Sequence, residues 1–117
     1  MAQTISMIML GVDDANTAVE FYRNVLGFEL ATRFEGFAFF NAGGVTLALN
    51  EGLARAIPHK TGAVEVILPC ESVHATHAAL AAKGVTFLKA PAEVSPGQWA
   101  ANLKDPDGHI LTLFGPA

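Results

Sequence analysis

The stretch VDDANTAVEFYRNVLGF, Val12–Phe28, decides the fold, because a helix start, a helix face and a helix stop follow one another within it. Asp13 and Asp14 end the apolar run Met7–Val12, and either carboxylate can accept hydrogen bonds from the free N–H groups of a helix's first turn. Ala18, Tyr22, Val25 and Leu26 then fall on one helical face, and Gly27 supplies the stop. A strand followed by a helix is the reading. Beyond it come FELATRF, GFAFFN and VTLALNE, three runs of strand character, the last two joined by the turn AGG.

After PHKTG, a Pro-flanked linker that contains His59, the same order begins again. AVEVILP reads as a strand, Ser72 as a helix cap, and VHATHAALAAKG as a helix closed by Gly84; VTFLKA, QWAANLK and HILTLFG complete the set. Gly84 lies 57 positions after Gly27, close to half the chain, so the halves look like one duplicated unit. Alternation of strands and helices leaves two architectures open, a pair of βαβββ units or a ferredoxin-like βαββαβ with an added hairpin. Strand count separates them, and four strands per half favour the first.

The chain has 117 residues, of which 51% are apolar and only 15% charged. Average soluble domains are roughly 25% charged, so one small core does not absorb all the apolar surface. A homo-oligomeric interface, expected as a homodimer, or an apolar ligand cleft would take up the surplus. The net charge of −4, without any Lys/Arg cluster, gives no field for holding phosphates, and nucleic acid is excluded as a partner. Cys70 is the single cysteine, which rules out an intramolecular disulfide or a cysteine-rich zinc module and fits a reducing compartment. The apolar run near the N-terminus is far shorter than the ~18 residues of a membrane span and has no basic segment before it. A cytoplasmic protein without membrane contact is expected.

VDDANTAVEFYRNVLGF, followed by DPDGHILTLF (Asp105–Phe114), resembles the vicinal oxygen chelate superfamily, which includes glyoxalase I, extradiol dioxygenases, fosfomycin-resistance enzymes and bleomycin-resistance proteins. The likeness covers essentially the whole chain. It implies an α+β fold in which two tandem βαβββ modules, 1–57 and 58–117 of a single domain, form curved mixed sheets around a cleft. Enzymes of the family hold a divalent metal with four side chains, drawn mainly from His, Glu and Gln, on the first and last strand of each module. The resemblance puts these positions at Met7, at Thr46 or Ala48, at Glu65 and at Thr112. A thioether binds hard divalent ions weakly, and one acceptable ligand of four cannot fix an ion that needs about three. No metal and no other cofactor is therefore expected, and the DPDGHILTLFG segment builds a wall of the cleft without supplying an acid.

Alternate strand residues face opposite sides of a sheet. With Met7, Glu65 and Thr112 on the cleft side, Ile5, Met9, Ala63, Ile67, Ile110 and Phe114 join them, while Ile8, Leu10, Val64, Val66, Leu68, Leu111 and Leu113 are left for the helices. Met7, Met9, Thr46, Ala48, Glu65, Ile67, Thr112 and Phe114 are the expected ligand-binding set, and Trp99, in a strand that the resemblance places at the cleft mouth, is either an aromatic that stacks on the ligand or a half-buried edge aromatic. Glu65 carries two readings, a carboxylate facing the ligand or an exposed residue on a short edge strand satisfied by a neighbour. Phe37, Phe39 and Phe40 divide between cleft and core, with packing expected for at least two. His74 and His77, three apart on the second helix, have no third ligand near them and are expected on the helix surface or in its packing; His109 is expected to be solvated.

Three functions compete. The leading one is a small-molecule binding or sequestration protein of the bleomycin-resistance type, its ligand mostly apolar with a donor or cationic group. The second is a metal-independent lyase or isomerase with Glu65, in an apolar setting, as the candidate catalytic acid or base. A metal-dependent glyoxalase or dioxygenase with ligands in another register is the third.

Overall fold

Asp14, not Asp13, starts the first helix: its Oδ1 accepts from the N–H groups of Asn16 at 2.8 Å and Thr17 at 3.4 Å. The structure, a computed structural model, describes residues 2–58 and 62–117; His59 lies outside them. The chain divides into two compact units, Met1–His59 and Lys60–Ala117. Each is a mixed four-stranded sheet with a helix after its first strand, which makes the fold α+β with a repeated βαβββ order.

In the first unit, β1 (Met7–Gly11) leads into α1 (Ala15–Val19), and β2 (Glu29–Phe34), β3 (Phe37–Asn41) and β4 (Thr46–Asn50) follow, in the spatial order β1-β4-β3-β2. Past α1 the helix continues over Glu20–Val25 with a wider turn, the Leu26 N–H donating to the Phe21 carbonyl at 3.0 Å. Gly27 ends it at φ 82°, a conformation that costs glycine little. The core lies between helix and sheet: Tyr22 is fully buried and its ring stands 6.1 Å from that of Phe40 and 6.0 Å from that of Phe28. Leu10, Ala38, Leu47 and Leu49 fill in around this cluster. Each large side chain so enclosed contributes about 1.5–3 kcal/mol of transfer free energy.

The second unit repeats the plan with β5 (Glu65–Pro69), α3 (Val73–Ala82), β6 (Phe87–Ser95), β7 (Gln98–Lys104) and β8 (Ile110–Gly115), in the order β5-β8-β7-β6. Ser72 caps α3 by accepting from the Ala75 N–H at 3.1 Å. Val73, Leu80, Ala101, Leu103, Leu111 and Leu113 are the buried helix-side residues. Asp105, itself buried, organises the turn into β8, its Oδ1 accepting from the N–H groups of Asp107 and His109 at 2.9 and 2.8 Å. His109 is half-buried rather than solvated, because this turn folds back on the Asp105 carboxylate.

Two elements depart from the sequence reading. VTLALNE ends as a strand at Asn50, and Glu51–Ala56 forms a short helix, α2, in place of strand end and linker. The Asn50 side chain caps it by accepting from the Leu53 N–H at 3.0 Å. Gly11 makes room for it, since a Cβ there would meet the Ala54 backbone at 3.1 Å. Glu51 also reaches back to accept from the Ala15 N–H at 2.7 Å, adding a second carboxylate to the start of α1. The other departure is β6, which runs through Pro91 to Ser95. Its register against β7 shifts between Lys89 and Ala92, so proline occupies a bulge on an edge strand, where no ladder N–H is needed.

Candidate functional site

Each sheet has one face under its helix and one face open. On the second sheet, the pairs Ile67 with Thr112 and Asn102 with Thr112 set the register of the open face. There the Asn102 Nδ2 donates to Thr112 Oγ1 at 2.7 Å, and the Thr112 hydroxyl donates to Glu65 Oε2 at 2.7 Å. A hydroxyl has one proton, so accepting from Asn102 leaves that proton for the carboxylate and fixes the chain's direction. The second oxygen of Glu65 and the amide oxygen of Asn102 remain as acceptors, and among the described residues no cation pairs with Glu65.

These three side chains floor an open groove of about 450 Å³ completed by Ile67, Val94, Ala100 and Phe114. Ile67 is 49%, Val94 59% and Phe114 38% exposed, so the flanks are apolar and accessible while Thr112 beneath them is 5% exposed. The Glu65 carboxylate and the Asn102 amide oxygen outnumber the one N–H that Asn102 has left, and this balance favours a ligand that brings donors or a positive charge. An ammonium, guanidinium, amide or hydroxyl beside an apolar body fits it.

The structure brings Glu65, Ile67, Thr112 and Phe114 together as parity requires. Trp99 does not join them. It pairs with Gly115, one residue out of phase with the open-face pair Ala100 and Phe114, and so lies on the helix side with its ring 4.8 Å from that of His74. This register corrects its placement at a cleft mouth and agrees with the half-buried packing alternative. Asn102 and Val94 were absent from the expected set. Counting across the Asp105–His109 turn would have found Asn102, since it puts that residue opposite Thr112.

The acid/base reading of Glu65 needed an apolar enclosure, and the carboxylate is exposed on β5, an edge strand of its sheet, where the Thr112 hydroxyl satisfies it. His74 and His77 belong to packing, the latter 4.3 Å from the Phe87 ring.

Met7, Met9, Thr46 and Ala48 share the open face of the first sheet, in the pairs Met7 with Thr46 and Met9 with Ala48. Phe37 and Phe39 stand on this face with parallel rings 6.3 Å apart, and of the three phenylalanines only Phe40 enters the core. Asn50 Nδ2 donates to Met9 Sδ at 3.1 Å.

The positions that the resemblance assigns to metal ligands carry, strand by strand, a thioether on β1, a methyl or hydroxyl on β4, an exposed carboxylate on β5 and, on β8, a hydroxyl already donating to that carboxylate. This donor set does not fit a divalent ion. Among the described residues no group of three His, Cys, Asp or Glu side chains converges elsewhere.

A sequence model of the Glyoxalase/Bleomycin resistance protein/Dioxygenase superfamily matches residues 4–113. The metallothiol transferase FosB of Staphylococcus haemolyticus is 41% identical over 51 residues, 44% of this chain and 37% of that protein. The match thus spans little more than a third of that curated relative. Among solved structures, a glyoxalase/bleomycin resistance protein/dioxygenase from Nocardioides superposes with a TM-score of 0.83 at 28% identity, covering 99% of this chain and 85% of the other. TnmS3, an antibiotic binding protein from Streptomyces sp. CB03234, shares the fold with a TM-score of 0.80 at 24% identity over 99% and 98% of the two chains. With the repeated βαβββ order and the family match along nearly its whole length, the chain belongs to the Glyoxalase/Bleomycin resistance protein/Dioxygenase superfamily.

Proposed function

We propose that the protein binds and sequesters a small organic molecule, mostly apolar and bearing a cationic or hydrogen-bond-donating group, in the manner of the bleomycin-resistance proteins of its superfamily. The observation that carries this reading is the Asn102–Thr112–Glu65 chain, which ends in an exposed carboxylate between the apolar flanks Ile67, Val94 and Phe114. Its fold is one that an antibiotic binding protein, TnmS3, also uses. We read the protein as a cytoplasmic homodimer. Exposed Ile5, Phe34, Ile57 and Val64 supply apolar surface for self-association, and a single free thiol, Cys70, suits a reducing compartment. Among the described residues no helix is long and apolar enough to cross a membrane.

Calorimetric titration with 2-naphthylmethylamine and with its neutral alcohol analogue tests the reading. The amine should bind one site per chain and more tightly than the alcohol by about 1.5-fold to fivefold, the worth of an exposed charge pair. Glu65→Gln should remove most of that difference. Equal affinity of amine and alcohol, or a preference untouched by the substitution, would overturn it. Saturable binding of bleomycin in the same cell would identify the branch.

A further inference from the structure

Glu65 and Asn102 belong to two concavities. Following β5 forward leads to the apolar groove of Ile67 and Phe114; following it backward leads to a second hollow of about 520 Å³, lined by Gly62, Ala63, Val64, Leu88, Lys89 and Ile110 together with the shared Glu65 and Asn102. Lys89 sits on β6 opposite Asn102 in the ladder. It brings a cation to a hollow whose other charge is the Glu65 carboxylate.

The two charges do not neutralise each other. β5 and β6 are the opposite edges of the four-stranded sheet, so their backbones stand three strand spacings apart, roughly 14 Å. Among the described residues neither Lys89 nor Glu65 forms an ion pair. An acceptor site and a donor site of opposite charge therefore share one hollow, with the Asn102 amide between them and the apolar groove beyond. We propose that the ligand is an extended zwitterion: its ammonium sits on Glu65 and Asn102 with an apolar group beside it in the Ile67 and Phe114 groove, and an anionic arm reaches Lys89. The separation excludes a compact α-amino acid, whose two charges share one carbon, and favours a peptide-like or ω-amino-acid spacing. The inference rests on the reading of Glu65 under Proposed function and extends it to the other end of the molecule.

Phenylalanyl-glycyl-glycine, its C-terminal amide and its N-acetyl derivative separate the two ideas, by calorimetry or chemical-shift titration on the full chain. The free acid should bind about 1.5-fold to fivefold more tightly than the amide, as for an exposed charge pair. Lys89→Ala should bring acid and amide to equal affinity, Lys89→Arg should restore the difference, and the thermal midpoint should not move, because Lys89 is exposed. If acid and amide bind the wild-type chain equally while acetylation still weakens binding, the zwitterion inference fails and the cation reading stands. Acetylation without effect, or no binding of any of the three, overturns both for this ligand class.

Discussion

The open faces of the two sheets have the same ladder, and they differ in that only the second carries a hydrogen-bonded polar chain. Position by position, Met7 and Met9 on β1 correspond to Glu65 and Ile67 on β5, Ala48 to Thr112, and Phe39 to Asn102. One face presents thioethers, a methyl and paired phenyl rings, with the Thr46 hydroxyl beside Met7; the other sets a carboxylate, a hydroxyl and an amide, joined by two hydrogen bonds, among the apolar Ile67 and Phe114. Beneath both, the helix-side residues stay apolar. Duplication therefore preserves what the helix must pack on, whereas the open face is free to diverge because its residues are not needed to hold the helix.

The comparison is broken most severely on the side where the units agree. Phe40→Ala should cost about 3–5 kcal/mol and Leu111→Ala about 2–5 kcal/mol, since both side chains are fully buried and each leaves a cavity. Chemical denaturation with far-UV detection measures both. A loss under about 1 kcal/mol in either would mean that its unit is not held by the helix-side core.

Exchanging chemistry between the open faces should have smaller effects. Ala48→Thr puts a hydroxyl where Met9 and Phe39 are the ladder neighbours, and overpacking with an unmet polar group should cost about 1–3 kcal/mol. Thr112→Val, close to isosteric, removes the link between Asn102 and Glu65 and should cost about 1–2 kcal/mol. If Ala48→Thr is neutral, the first face is more permissive than its burial indicates. If Thr112→Val is neutral, the hydrogen-bonded chain does not contribute to stability, although it can still orient the carboxylate.

Glu65→Gln should have the smallest effect on stability, within about 0.5 kcal/mol, as for an exposed residue. Its consequence belongs to the ligand, as the amine and alcohol titration reads. A thermal shift equivalent to more than about 1 kcal/mol would make the carboxylate structural and remove the contrast between the two faces.

Much of this was legible along the chain. The duplication, the helix starts at the Asp13–Asp14 pair and at Ser72, and the stops at Gly27 and Gly84 follow from local geometry, because capping and positive φ involve residues a few positions apart; the choice of Asp14 within the pair came from the structure. α2 was not legible, because VTLALNE reads as one strand up to Glu51, and the helix depends on a distant glycine, Gly11, that lets Ala54 approach.

By itself the sequence determined the repeated βαβββ order and which residues of β1, β5 and β8 share a face, since side-chain direction in a strand alternates with a period fixed by the backbone. It also put, at the positions the resemblance assigns to metal ligands, residue types of which only Glu65 is an ordinary ligand for a divalent ion. Only the tertiary structure decided who stands opposite whom. The ladder put Trp99 under the helix and Asn102 beside Thr112, and it turned Thr112 into a donor to Glu65. Those relations depend on strand register and edge position, which pairing between distant segments sets and no local period encodes.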